Sequence, residues 1–484
     1  MTKRSIGSDE DLRLHRTMVK RKKQGLQLTN LPTDILCSIL SQLPIKEAVR
    51  TSILSEQWKC LWHHHPNLVF TLSSMLPIPR TLPLTPNDDE PRKHEFIQRV
   101  DAVLQQRSGV GVENVQFRAP FEDDQRDQIN RWVNFAIASK AKQLIFDFLT
   151  ASPMRPPYNF DLRLLDDSNS LHLRYVKLCS VSLKVPADFN GFQNLKWICL
   201  AGTNITDDDL QLLVSSCCVL ELLGIASCRM LTRVQLSHPS NPLKHLHVHD
   251  CRLLQAMELN FGLVELEYSG PSILLSAPGT LLLKNMCIEL NDMCPSLEYI
   301  STKLDNNVPR LEMLTLHCTE SKRASLPGKL HKFSYLKHLR LELTFLGAPR
   351  SKSDILDFAC LLIAAPFLEK LEFHMVLRCE HPRYTTDQGD LRSLPSEPHL
   401  HLRLVEITGF YGWKGQLELA LHIVRNSVAL EAMKIDPIPA PAVVGSDFRL
   451  LGCPEFTSFS DGYEAALEFL CSADHRHVVH VLEP

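Results

Sequence analysis

The sequence predicts an α/β solenoid with a small all-helical module ahead of it, and three observations carry the prediction. One is a template, LxxLxLxx closed by an apolar, Cys or Thr residue, that recurs through most of the 484 residues. Another is its spacing: Leu195, Leu220 and Leu243 lie 25 and 23 residues apart, which suits stacked strand-and-return units of about 20–29 residues. The third is a run of Leu, Ile and Trp at helical period in residues 28–62, too short to bury its own apolar side.

From the N-terminus, residues 1–26 are polar and are expected to form a disordered tail. Its run Lys20-Arg21-Lys22-Lys23 reads as a nuclear import signal or as a solvated patch. The pattern tightens at LTNLPTDILCSILSQLPIKEAVRTSILSEQWKCLW, the body of a module spanning 27–70. Pro32 suits a first helical turn, where its missing N–H is no loss. Ile35, Leu36, Ile39, Leu40 and Leu43 then recur at helical spacing, and Pro44 stops the helix. A second short helix covers about Lys46 to Ser52. Ser55 suits the N-cap of a third, which carries Trp58, Leu61 and Trp62. The apolar surplus of three such helices must face either the rest of the chain or another protein.

Residues 71–93 hold Pro77, Pro79, Pro83, Pro86 and Pro91 and read as a loop or linker. From His94 to Phe148 a helix–strand–helix–strand alternation reads as the first, irregular repeats of an array spanning 94–390. Clear copies are Ala141-Leu144-Phe146-Leu149, Leu173-Val176-Leu178-Val181, Leu195-Ile198-Leu200-Thr203, Leu220-Leu223-Ile225-Cys228 and Leu243-Leu246-Val248-Cys251. Others start at Leu263, Leu311, Leu336, Leu368, Leu402 and Leu430, and the copy between 270 and 300 is poor. These are the spacings of leucine-rich repeats: the Leu positions of each strand feed the core and the alternate positions face a concave surface. Helical returns fit between strands, as at Thr206 to Leu213, where Asp207, Asp208 and Asp209 suit the positive end of a helix dipole. A conventional α/β domain with leucine-rich strands is the competing reading. Residues 391–440 contain HLRLVEITGFYGWKGQLELALHIVRNSVALEAMKID, read as strand, glycine turn, helix from Gln416 to about Asn426, and strand. Residues 441–484 are left as a C-terminal tail without a functional assignment.

Ordered landmarks in residues 28–62 resemble an F-box: Leu31-Pro32, the Ile/Leu helix, Leu43-Pro44, Ala48-Val49-Arg50-Thr51-Ser52, and Trp58 with Leu61-Trp62. Glu56-Gln57 departs from the Lys-Arg that plant relatives usually carry there. The resemblance implies docking onto the Skp-type adaptor of a cullin-RING ubiquitin ligase. It makes Leu31, Pro32, Ile35, Leu36, Ile39, Leu40, Leu43 and Pro44 the adaptor-binding candidates. Val49, Trp58, Leu61 and Trp62 become the module core. The block 401–436 resembles the FBD region that closes many plant F-box/leucine-rich-repeat proteins, on Val405-Glu406-Ile407, Gly409-Phe410, Gly415, Leu430-Glu431 and Met433-Lys434-Ile435-Asp436. The fold expected is therefore an N-terminal three-helix F-box followed by an irregular leucine-rich-repeat horseshoe ending in an FBD region.

One stretch raises the question of chemistry. KHLHVHDC places His245, His247 and His249 at alternate positions. In the repeat register Cys251 points inward and the imidazoles project from the concave face. Adjacent ones lie about 6.5–7 Å apart, and a third along one strand reaches a shared metal poorly. The ladder is read as target-facing, with a metal-dependent enzyme at His245/His247 kept as a remote alternative. An imidazole titrating near about pH 6.5 would make such capture pH-sensitive. His63-His64-His65 reads as a polar boundary. Neither HExxH, GxSxG, a phosphate loop nor GxGxxG occurs, since Gly109-Val110-Gly111 lacks the third glycine, and no CxxC pair is present. Fifteen scattered cysteines read as reduced core residues.

A net charge of −3 and the lack of any apolar run approaching a span argue against nucleic-acid and membrane partners. The expectation is a non-catalytic substrate-recognition subunit of an SCF-type (Skp-cullin-F-box) ubiquitin ligase, in the nucleus and/or cytoplasm, with no cofactor and no metal. Its partners would be the Skp-type adaptor, a cullin-RING ligase through it, and a target protein. A leucine-rich-repeat scaffold or receptor outside any ligase is the alternative.

Overall fold

The structure is a computed structural model that describes residues 31–77, 86–107, 111–148, 156–165, 170–236, 242–259, 262–276, 282–290, 308, 310–320, 332–345, 355–377, 383–394, 398–440 and 459–484. The basic run Lys20 to Lys23 and the Pro-rich part of the C-terminal tail lie outside these residues.

In chain order the strands are β1 (Asn67–Thr71), β2 (Asn114–Arg118), β3 (Gln143–Asp147), β4 (Asn159–Phe160), β5 (Tyr175–Cys179), β6 (Ser182–Leu183), β7 (Trp197–Ala201), β8 (Leu222–Ala226), β9 (Arg233–Gln235) and β10 (His245–His249). They continue with β11 (Ala256–Glu258), β12 (Glu265–Gly270), β13 (Leu274–Ser276), β14 (Asn285–Leu290), β15 (Met313–Glu320), β16 (His338–Phe345), β17 (Lys370–Leu377), β18 (Leu404–Thr408), β19 (Ala432–Asp436) and β20 (Val479–Val481). Fifteen of them form one sheet in strict chain order, β1-β2-β3-β5-β7-β8-β10-β12-β14-β15-β16-β17-β18-β19-β20, while β13-β11-β9 and β4-β6 make two small sheets on the return side. Every neighbouring pair in the long sheet is parallel, from β1 against β2 to β19 against β20. Sequential parallel strands with a return between each pair are what a solenoid of leucine-rich repeats requires.

The template explains the register. Its first residue lies two positions before each strand, as Leu195 before Trp197, Leu243 before His245 and Leu430 before Ala432, and all three are buried. Within the strands, burial alternates, so Leu246 and Val248 feed the core while the histidines between them do not. A single repeat buries its Leu positions only against its neighbours, each worth about 1.5–3 kcal/mol, which is why the units stack. Closing positions Thr203, Cys228 and Cys251 are buried too, and the Thr203 hydroxyl donates to the Leu178 carbonyl at 3.1 Å.

Several expectations are corrected. The poor copy between 270 and 300 is a full strand, β14, led by buried Leu283 with Met286 at the middle position. Residues 71–93 are not simply a linker: a short helix covers Leu72–Met75, and Pro86–Gln105 is helical with Pro91 inside it. Pro86 at the start costs nothing, because a first-turn N–H has no intrahelical partner, whereas Pro91 in the second turn gives up one i→i−4 bond that the other residues of this 20-residue helix outweigh. The array also begins earlier than expected. His65 takes the leading position of β1, ahead of Leu68 and Phe70, and Val112 leads β2. There Phe replaces Leu: Phe70, Phe117 and Phe146 stack with centroids 5.4 Å apart, and Trp132 stacks on Phe117 at 4.6 Å. Finally, the C-terminal tail is structured from 459: a helix at Phe459–Ala465 and then β20, which extends the sheet beyond β19.

The FBD region, residues 401–436, is fixed by contacts at both ends of its helix. Gly409 has φ +67°, and a Cβ there would sit 2.0 Å from the Met375 carbonyl, so only glycine fits. The helix Lys414–Asn426 follows, and buried Gln416 ties its start down: its Oε1 accepts from the Tyr411 and Trp413 amides and its Nε2 donates to the Gly409 carbonyl at 2.9 Å. At the other end Arg476 donates to the carbonyls of Val424, Ser427 and Val428, satisfying the acceptors that a helix C-terminus leaves open. Among the described residues no helix is long and apolar enough to cross a membrane.

Candidate functional sites on the helical module and the open sheet face

The N-terminal module is three short helices, α1 (Thr33–Leu40), α2 (Ile45–Arg50) and α3 (Glu56–Lys59), with 3₁₀ turns after α2 and α3. Pro32 and Pro44 stand at the N-caps of α1 and α2, one position earlier than a first-turn proline. Ser55 has the extended backbone of an N-cap, yet its hydroxyl is buried without a hydrogen-bond partner.

Helical geometry divides the expected adaptor-binding set in two. Leu36 and Leu40 are four apart on the inner stripe and are 0% and 1% exposed, so they belong to the module core with Ile45, Ala48, Trp58, Leu61 and Trp62. Ile35 and Ile39 lie about 100° round the helix and are 44% and 40% exposed, and Leu43, in the turn after α1, is 37% exposed, beside exposed Pro32 and Pro44. Leu31 and Val49 are partly buried against the core. Two residues not picked out from the sequence join the exposed set: Ile53 at 86% and Leu54 at 63%, in the turn after α2. Both flank the α2–α3 junction, outside the regular helical stripe, so periodicity does not mark them.

The module is fastened to the sheet at His65. This imidazole, expected to be part of a polar boundary, is buried, with its Nε2 2.9 Å from the Leu43 carbonyl and its Nδ1 accepting from the Asn67 amide at 3.1 Å. Burial pushes its pKa down, and the Arg107 guanidinium, which donates to the His65 carbonyl, acts the same way. A neutral imidazole there can accept from one backbone group and donate to another, joining α1–α2 to β1.

On the open face of the sheet, His245, His247 and His249 form the expected row on β10. Opposite them on β12, Glu265 and Glu267 sit in register. The Nδ1 of His245 is 2.9 Å from Glu265, and His247 and His249 approach Glu267 at 3.7 and 3.8 Å. The imidazoles thus turn toward two carboxylates, His245 toward Glu265 and both His247 and His249 toward Glu267, rather than toward one common point. Among the described residues no group of three His, Cys, Asp or Glu is placed to hold a metal ion. Cys251 is buried beside Cys228, facing away from the ladder.

A second, denser polar group follows on β15 to β18. His317 Nδ1 is 3.0 Å from Glu342, Arg340 donates to both Glu342 and Glu372, and Lys370 also pairs with Glu372. His374 lies between Glu372 and the Thr408 hydroxyl, 3.4 and 2.9 Å away. Burial alone would push His317 down, but hydrogen bonds to Cys287 and Glu342 outweigh it and hold the imidazole at about 10. Burial opposes ionisation of Glu342 as well, and His317 and Arg340 outweigh that, drawing it down to about 2. These residues occupy the same alternate template positions as the histidine row, which is the sequence signal that could have found them.

The chain is thus a small helical module fastened to a leucine-rich-repeat solenoid whose open face carries the polar rows described above. Comparison with known proteins agrees with that class. The protein-family model described as "At1g61320/AtMIF1, LRR domain" matches residues 103–448, and the F-box domain model matches 28–70. The chain belongs to this leucine-rich-repeat family and is of the plant F-box/FBD/LRR type. Three Arabidopsis thaliana relatives illustrate it. "F-box/FBD/LRR-repeat protein At1g13570" is 24% identical, covering 84% of this chain and 90% of its own. "F-box/FBD/LRR-repeat protein At5g56420" is 26% identical, covering 86% and 93%. "F-box/LRR-repeat protein 13" is 26% identical, covering 58% and 61%.

Proposed function

We propose that this F-box/LRR protein is the non-catalytic substrate-recognition subunit of an SCF-type ubiquitin ligase, working in the nucleus and/or cytoplasm. The observation that carries the reading is the apolar surface of the F-box. Pro32, Ile35, Ile39, Leu43, Pro44, Ile53 and Leu54 are exposed on a module whose own core is already filled by Leu36, Leu40, Trp58 and Trp62. So many exposed apolar side chains on one small module mark a protein interface. A Skp-type adaptor would cover them, connecting the chain to a cullin-RING ligase. The solenoid's open face would hold the target, raising the local concentration of its lysines near the ubiquitin-loaded enzyme. The weld at His65 supports this arrangement, since a fixed module holds the target in a set orientation.

Affinity capture with the proteasome blocked tests the reading, comparing the intact chain with one lacking residues 28–62. Adaptor and cullin are expected to vanish from the shortened protein while targets stay bound. If the intact chain captures neither adaptor nor cullin, it acts as a scaffold or receptor outside any ligase.

A further inference from the structure

We propose that the open face between β7 and β14 takes an extended segment of a partner protein in which a bulky apolar side chain stands about four residues from a Lys/Arg pair. The proposal rests on the reading of this face as the target-binding surface and names the chemistry of what it holds.

Two neighbouring features define the ligand. At β7, Trp197 is 45% exposed although it sits mid-array, and Tyr175 meets it edge-on with centroids 6.4 Å apart. Next to the indole the face is floored by small side chains, Cys199 and Gly224; a Cβ on Gly224 would stand 3.1 Å from the Cys199 sulfur. A rigid, half-exposed aromatic beside a low floor is an anchor site for an apolar side chain.

Two strands beyond β8, Glu265 and Glu267 on β12 are 41% and 42% exposed, with Glu289 on β14 behind them. The outward positions of β7, β8, β10, β12 and β14 contain no Lys or Arg. The bases next to these carboxylates are the β10 imidazoles, which are not fixed cations. Toward the C-terminus, fixed cations on the open face begin at Arg340 and Lys370, and those are committed to Glu342 and Glu372; on the other side the nearest is Lys177 on β5, beyond Trp197 and four strands from Glu265. The carboxylates therefore want basic partners from outside the chain.

The register sets the spacing. Trp197, Leu222, His245 and Glu265 form one row across four neighbouring strands. Three steps of about 4.8 Å span roughly 14 Å, and an extended segment covers that in about four residues at about 3.3 Å each.

A random 12-residue peptide library displayed on phage and panned against the purified full-length chain tests this, with Glu265→Gln/Glu267→Gln and Trp197→Ala variants as comparisons. Both carboxylate changes are isosteric, and circular dichroism checks that each protein is folded. The expected pool carries Lys or Arg three to five residues from Trp, Phe or Leu. A synthetic peptide from that pool should bind the double variant about tenfold more weakly, and should weaken as salt is raised from 50 to 500 mM. An unenriched pool, a pool rich in Asp and Glu, or equal binding to the double variant would each overturn the proposal. Adaptor binding is measured on the same preparations. If the adaptor binds and no basic peptide is selected, the ligand class is wrong and the ligase reading stands; if the adaptor does not bind, it is the ligase reading that has failed.

Discussion

Replacing Glu342 with Gln should remove a pH dependence of stability that is built into the open face. Glu342 and His317 are 12% and 15% exposed and 3.0 Å apart, so solvent screens them little. His317 is raised from 6.5 to about 10 in the fold. A group raised in the folded state contributes stability that is complete below its unfolded value and is lost as pH climbs toward the folded value. For His317 that window opens at about pH 6.5 and runs upward. Glu342, lowered from 4.5 to about 2, has the mirror-image behaviour, with stability present above about pH 4.5 and lost as pH falls. Between pH 6.5 and 9 the ceiling for His317 is about 3 kcal/mol, from 1.36 kcal/mol per unit. The side-chain amide of Gln keeps a hydrogen-bond acceptor but not the charge, so His317 should lose the part of its elevation that Glu342 supplies and keep the part that comes from Cys287. Urea unfolding followed by circular dichroism at pH 6.5 and pH 9 measures this for both proteins. The wild type should lose about 1–2 kcal/mol more than Glu342→Gln over that interval. Parallel losses, within about 0.5 kcal/mol, would refute the pairing.

Other consequences follow from single contacts. His65→Ala removes the bond to the Leu43 carbonyl and leaves a buried acceptor open, at a cost of about 1–3 kcal/mol; faster hydrogen exchange in α1 and α2, with β10 to β12 unchanged, is the expected signature. Gly409→Ala forces a Cβ into the Met375 carbonyl at positive φ and should lower stability by about 2 kcal/mol or more, read as a shifted urea midpoint. Arg476→Ala exposes three helix-end carbonyls, and the end of the helix Lys414–Asn426 should fray in hydrogen exchange at a cost of about 1–2 kcal/mol.

The solenoid was readable because one residue pattern does one physical job in every repeat: Leu positions two and three apart fill a shared core, so the strands β5, β7, β8, β10, β12 and β15 to β19 announce themselves. Where the filler changes, the signal fades. His65 leads β1, phenylalanines replace leucines through β3, and Met286 holds the middle of β14, although each is buried as a Leu would be. The order in the C-terminal tail depends on partners distant in sequence, Arg476 on Val424 and Val479 on Met433, and no local pattern encodes such contacts. In the F-box, periodicity identified one apolar stripe, while the structure separates an inner edge at Leu36 and Leu40 from an outer one at Ile35 and Ile39. On the open face the histidine row was legible and its carboxylate partners were not, because pairing across β10 and β12 needs the register of two repeats.

Adaptor binding by the outer edge of α1 decides whether this protein serves a ligase. Titration calorimetry of a purified Skp-type adaptor against the full chain and against Ile35→Asp/Ile39→Asp, which leaves Leu36 and Leu40 in place, measures it directly. Each interface anchor is worth about 1–3 kcal/mol, so the double variant should bind at least about 30-fold more weakly while keeping the wild-type circular dichroism. Equal affinity in the two proteins, or no binding by the wild type, would contradict it.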